Sequence, residues 1–114
     1  MGKELKVVTF DEVEPTILPG EGAEVRRLVT KRRENSERMS FGVCTFKKGY
    51  DEKSVYEDKD EIMYLLEGKA IISWKGGEAE VKPGMAMFIP AGVEYRYQVL
   101  EENLLLGILS PPRE

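Results

Sequence analysis

Gly49-Tyr50-Asp51-Glu52-Lys53-Ser54-Val55-Tyr56-Glu57-Asp58-Lys59-Asp60-Glu61-Ile62-Met63-Tyr64-Leu65-Leu66-Glu67-Gly68 decides the fold, together with Gly84-Met85-Ala86-Met87-Phe88-Ile89-Pro90-Ala91-Gly92-Val93-Glu94-Tyr95. Glycine tolerates backbone angles that other residues avoid and proline fixes one of them, so such residues at set intervals mark turns between short extended runs. Residues 54–57 read as extended, and 61–67 and 70–74 as the next pair of strands. Lys75-Gly76-Gly77 makes a hairpin turn into residues 78–81, and Lys82-Pro83-Gly84 a further turn into residues 85–89. Residues 94–100 and 104–109 complete the series, with Glu101-Glu102-Asn103 as the last hairpin turn. Upstream, residues 5–10 read as a first strand, 15–22 as a loop, and 23–29 and 39–46 as strands joined across the polar segment 30–37. About ten short strands with regular turn signals indicate an all-β sandwich or barrel.

The intervals between Gly49, Glu61 and Gly68, and between Gly84, Pro90 and Gly92, are those of the two cupin motifs, and the chain resembles the cupin superfamily over about residues 41–110. The resemblance implies a cupin double-stranded β-helix, a jelly-roll barrel. It would form one domain over residues 1–114, with a barrel core at about 39–110 and N-terminal strands within 1–38. The runs Asp60-Glu61-Ile62, Leu66-Glu67-Gly68 and Met87-Phe88-Ile89-Pro90 are similar to the cupins of ethanolamine-utilisation operons. The Glu61 segment and the Ser110-Pro111-Pro112 tail resemble ectoine synthase, although Met87 stands where that family would place a tyrosine. The family motifs imply two histidines before the glutamate and a third beyond the last glycine. Val55, Glu57 and Tyr95 hold those positions here, and the chain contains no histidine. The resemblance also implies a homodimer, built by edge strands near the amino terminus.

Composition bounds the rest. A chain of 114 residues with 41% hydrophobic content can bury one core. Its longest apolar runs, such as residues 104–109, are too short for a membrane-spanning helix, and residues 1–6 lack the apolar region of a signal peptide. One cysteine, Cys44, allows no intrachain disulfide. These features point to a soluble cytoplasmic protein. A net charge of −4 argues against a nucleic-acid partner. The charges are uneven: Arg26, Arg27, Lys31, Arg32 and Arg33 form a basic cluster, read as an exposed hairpin tip, whereas residues 51–67 hold seven acids against two lysines.

Alternation selects the inward face. Val93, Tyr95, Tyr97 and Val99 share one side of their strand, and Glu94, Arg96 and Gln98 the other. The same parity sets Val55 with Glu57, and Glu61 with Met63 and Leu65. Glu57, Glu61 and Tyr95 are therefore expected to converge on a cavity lined by Met63, Met85, Met87 and Tyr97. Such a trio permits three readings. As catalytic residues, two crowded carboxylates and a phenol can transfer protons without a metal, as a lyase or isomerase on a small polar or carboxylate substrate would require. As metal ligands, the same three oxygens suit a divalent Mn or Mg ion, or Fe. As a non-catalytic ligand-binding or sensor site, they would only orient a small molecule. Cys44 has no histidine to serve as its base and reads as a small buried side chain.

Overall fold

Apolar and polar residues alternate along two long runs, and each becomes one strand: β5, Asp60–Trp74, and β8, Tyr95–Ser110. The computed structural model describes residues 4–18 and 22–113. In chain order the other strands are β1 (Thr16–Ile17), β2 (Ala23–Val29), β3 (Ser40–Phe46), β4 (Asp51–Ser54), β6 (Gly77–Val81) and β7 (Ala86–Ile89). All pairings are antiparallel, and all eight strands form one sheet in which β5 and β8 pair with each other along both halves of their length. The first half of β5 and the second half of β8 pair with each other and continue outward through β7 on one side and β3, β2 and β1 on the other. The second half of β5 and the first half of β8 also pair, flanked by β6 and β4. One sheet whose two long central strands take different neighbours along each half makes the jelly-roll barrel that the glycine frame implied.

Cross-strand partners point to the same face, so the register gives the interior row by row. At one end Leu65, Leu105 and Cys44 lie opposite one another, with Ala70 beside Val99 and Val81. Leu65 is 0% exposed, and Leu105 and Val81 are also sealed. Burying a side chain of this size stabilises the fold by roughly 1.5–3 kcal/mol. No buried side-chain polar atom among the described residues lacks a hydrogen-bond partner.

Several expectations need correction. Residues 61–67 and 70–74 are not a pair of strands but one, since both pair with β8 across register shifts at Glu67 and Lys69. Gly68 sits at that irregularity with φ +104, where a Cβ would lie 2.2 Å from the Glu102 carbonyl oxygen. Glu101-Glu102-Asn103 is likewise no hairpin turn: β8 runs through it, and Asn103 turns inward, accepting from the Tyr97 hydroxyl at 2.6 Å and donating to the Glu101 carbonyl at 2.7 Å. The strand count is accordingly eight among the described residues. Residues 4–9 form no strand, because β1 occupies the sheet edge beside β2, and Leu5 and Val7 remain exposed. The loop at 15–22 contains β1, and its residues 19–21 lie outside the described residues. Extended pairing at 54–57 covers only Ser54, the last residue of β4.

The basic segment is a helical turn rather than a bare hairpin tip. Thr30 caps α1 (Lys31–Glu34) by accepting from the Arg33 amide at 3.0 Å, Glu34 bonds back to the Thr30 amide at 2.8 Å, and Asn35 closes it at φ 61. No helix among the described residues is long and apolar enough to cross a membrane.

Candidate functional site

Two interior rows separate the sealed end from the other end of the barrel. The first contains Arg27 of β2, Gly42 of β3, Gly107 of β8, Met63 of β5 and Met87 of β7; the second contains Ser40, Leu109, Glu61 and Ile89. Two neighbouring glycines leave the centre of the first row unfilled. A Cβ on Gly107 would meet nothing within 4 Å. The gap opens into a cavity of about 300 Å³ bounded by Cys44, Phe46, Met63, Leu105 and Tyr97 on its apolar side. That size falls at the lower end of small-molecule sites.

At the polar side the Tyr95 hydroxyl donates to Glu61 Oε1 at 2.8 Å. Burial is the largest influence on Glu61 and raises its pKa, partly offset by the Tyr95 hydrogen bond and by the field of Arg113; the charge of Glu52 adds to the rise. Tyr95 is shifted upward more strongly, first by burial and then by the Glu61 charge, so the phenol stays neutral and keeps donating. This is a carboxyl group held toward its neutral form, paired with a fixed donor, and facing open space.

Glu61 and Tyr95 meet as expected, but Glu57 does not join them. It is exposed and absent from the cavity lining, as is Val55. The register of β4 gives the reason. Glu52 lies opposite Tyr97 and Ser54 opposite Tyr95, so even-numbered residues turn inward here and the lining continues to Tyr56. Counted from Glu61 rather than from Gly49, the inward pair is Ser54 and Tyr56; the intervening irregular chain absorbs one residue. Met85 is exposed, and Met87 is buried in the core without lining the cavity. Cys44 lines the cavity, its thiol pushed up to about 12, chiefly by burial and next by Glu61, which leaves it unreactive.

The donor chemistry does not fit a tightly held divalent metal. Among the described residues no three His, Cys, Asp or Glu side chains gather as a metal site, and with Glu57 outside, the cavity is lined by two carboxylates, Glu52 and Glu61, the latter bonded to a neutral phenol.

The basic cluster, not placed in the site by sequence reasoning, divides in two. Arg26 stacks over Phe10 at 4.3 Å and donates to the Phe10 and Val13 carbonyls, while Arg33 pairs with Glu34 and holds the Arg27 and Leu28 carbonyls. Arg27 and Lys31 instead line the cavity. The inward parity of β2, with Ala23 buried and Val25 lining the cavity, could have flagged Arg27. Arg113 reaches the same opening from the tail, a placement that no local pattern announces.

Comparison with known proteins agrees with the geometry. A curated protein of Streptomyces coelicolor, described as uncharacterised, is 28% identical over 109 residues, covering 95% of this chain and 98% of its own. Ectoine synthase from P. lautus superposes with a TM-score of 0.84 at 20% identity, over 95% of this chain and 79% of that one. A putative ethanolamine utilisation protein from Salmonella typhimurium superposes with a TM-score of 0.70 at 24% identity, over 80% and 71% of the two chains. Residues 42–106 match the cupin domain family, which spans the glycine frame, β5 and most of β8, and the chain belongs to that family.

Proposed function

We propose that this cupin binds a small molecule inside the open end of its barrel and moves a proton on it, as a lyase or isomerase acting on a small polar or carboxylate substrate would. One observation carries the reading: a buried carboxyl, Glu61, faces the cavity and is hydrogen-bonded at 2.8 Å to Tyr95. Glu61 is the group that takes or gives the proton. Tyr95 orients it and sets its readiness to ionise. Ser54, the cross-strand neighbour of Tyr95, and Tyr56 supply hydroxyls for a polar substrate.

Gly107→Leu tests the reading. The Cβ of the new side chain enters open space, so melting temperature should hold or rise while the cavity is narrowed at its centre. Compounds from a panel of small polar and carboxylate metabolites that raise the melting temperature of the native protein should no longer do so in the variant. A binder unaffected by Gly107→Leu would place binding elsewhere. Retained binding with no solvent deuterium incorporated into the ligand would favour a non-catalytic binder.

A homodimer is also part of this reading, with its contact on the outer face of β5, β7 and β8 rather than through the N-terminal edge strands that the family resemblance implied. Ile62, Tyr64 and Leu66 of β5 point outward beside Phe88 of β7, which is 63% exposed, and the outward residues Leu104, Leu106 and Ile108 of β8 continue the apolar strip. A strip with no charge along its centre suits a like surface on a second copy. Sedimentation equilibrium should show a dimer that Phe88→Glu dissociates; an unchanged dimer would shift the contact to another face. The lone Cys44 suits the reducing cytoplasm.

A further inference from the structure

We infer that the ligand is a small amphiphilic anion, a monocarboxylate with a short apolar body, held by Arg27, Lys31 and Arg113, which line the cavity. This rests on the reading of the cavity as a ligand site and names what enters it. The chain as a whole is acidic, at net charge −4, yet three cations line this cavity against two carboxylates, Glu52 and Glu61. Burial holds Glu61 toward its neutral acid, which reduces the opposing charge further.

The three cations come from separate parts of the chain. Arg27 enters from the bulged end of β2, where the register slips between Arg27 and Val29, and its guanidinium donates to the Thr16 hydroxyl at 3.3 Å. Lys31 opens α1 and has no carboxylate partner among the described residues. Arg113 is brought back over the barrel by its tail. Lys59 donates to the Pro112 carbonyl at 3.0 Å, Pro112 is buried, and the Arg113 guanidinium donates to the Tyr56 hydroxyl at 2.8 Å. Its field reaches both Glu61 and Cys44 and opposes the effect of burial on each. Arg113 therefore faces the cavity without a carboxylate hydrogen-bonded to it among the described residues.

The mixed lining sets the character of the ligand. The three cations, the hydroxyl-bearing Ser54 and Tyr56, the pair Glu61 and Tyr95, and the apolar Met63, Cys44 and Leu105 all border the same cavity. A carboxylate head matches the planar donor fork of arginine, and a short apolar body fills volume against the apolar residues. With only four residues, α1 is too short to offer a phosphate a helix N-terminus, and this favours a carboxylate.

The test uses the straight-chain acids from butanoate to octanoate, the corresponding amides, and matching alkyl phosphates, followed by shifts of the Met63 methyl and Gly107 amide resonances. The best acid should perturb both resonances and bind about tenfold more tightly than its amide, as one charge-assisted contact predicts. Added salt should weaken the acid and leave the amide unchanged. Arg113→Gln and Lys31→Gln, both at exposed positions, should each narrow the ratio, and the double variant should bring it close to one. Equal perturbation by acid and amide would overturn the anion proposal while leaving the cavity reading intact. No perturbation by any probe would remove both. A phosphate binding better than the acid, or an acid preference unmoved in both variants, would overturn the carboxylate assignment or its three residues.

Discussion

Tyr95 and Tyr97 stand on the same face of β8, and each donates its phenolic hydrogen to one side chain, but the acceptors differ in kind. Tyr97 donates to the amide oxygen of Asn103 at 2.6 Å; Tyr95 donates to the carboxylate of Glu61 at 2.8 Å. Asn103 is 1% exposed and uses its own amide hydrogens on the Lys69 and Glu101 carbonyls, so the Tyr97 pair is neutral and satisfied. Phe46 packs against the Tyr97 ring at 6.0 Å and stacks on Tyr50 at 4.8 Å, closing that level of the barrel. One level up, Gly107 leaves space, and the acceptor is a group whose charge can change. The same strand thus builds a lock and a site. What separates them is whether the partner titrates and whether the next row is filled.

The widest difference between the levels should appear on placing a charge at each face of β8. Tyr97→Asp removes a buried ring and leaves an unpaired carboxylate in the core, which should cost more than about 4 kcal/mol in urea unfolding. Gln98→Asp, on the opposite face and directly across from Asp51, whose carboxylate pairs with Arg96, adds only a like charge across the strand pair and should cost no more than about 1 kcal/mol. Equal losses at the two positions would undo the assignment of faces on which the comparison stands.

A smaller effect, opposite in sense, belongs to the upper level. Burial raises the Glu61 pKa in the folded state, so the folded protein holds its proton to higher pH than the unfolded chain. Stability attributable to this group is therefore lost as pH rises from the ordinary carboxylate range through the folded pKa. Glu61→Gln removes that loss. The variant and the native protein should have matching pH dependence at low pH, and the variant should gain relative stability as pH rises through the window. A variant that becomes relatively less stable over the same window would mean that the carboxylate is a structural acceptor.

Much of the fold was legible because turns and alternation are local. The glycine intervals anticipated the barrel, and the odd positions from Val93 to Val99 anticipated which tyrosines turn inward. Asn103 misled because polar triplets usually mark turns; here its hydrogen bonds go to Tyr97, Lys69 and Glu101, partners that only the folded barrel brings close. Glu57 misled for another reason. Its parity was counted across residues 55–59, where no ladder fixes the register, and one residue of slack exchanged it for Tyr56. Arg113 was out of reach altogether, since its place depends on the tail's contacts with Lys59 and Tyr56, more than fifty positions away in sequence.

The central claim is that Glu61 is a proton-holding group inside a ligand cavity and not a second lock. Carbon-13 NMR titration of the Glu61 carboxyl, assigned by its disappearance in Glu61→Gln, tests it directly. The account predicts a midpoint above the ordinary glutamate range, moving higher still in Tyr95→Phe, where the hydrogen bond that favours the ionised form is lost. A midpoint at or below the ordinary range, unchanged in Tyr95→Phe, would contradict it.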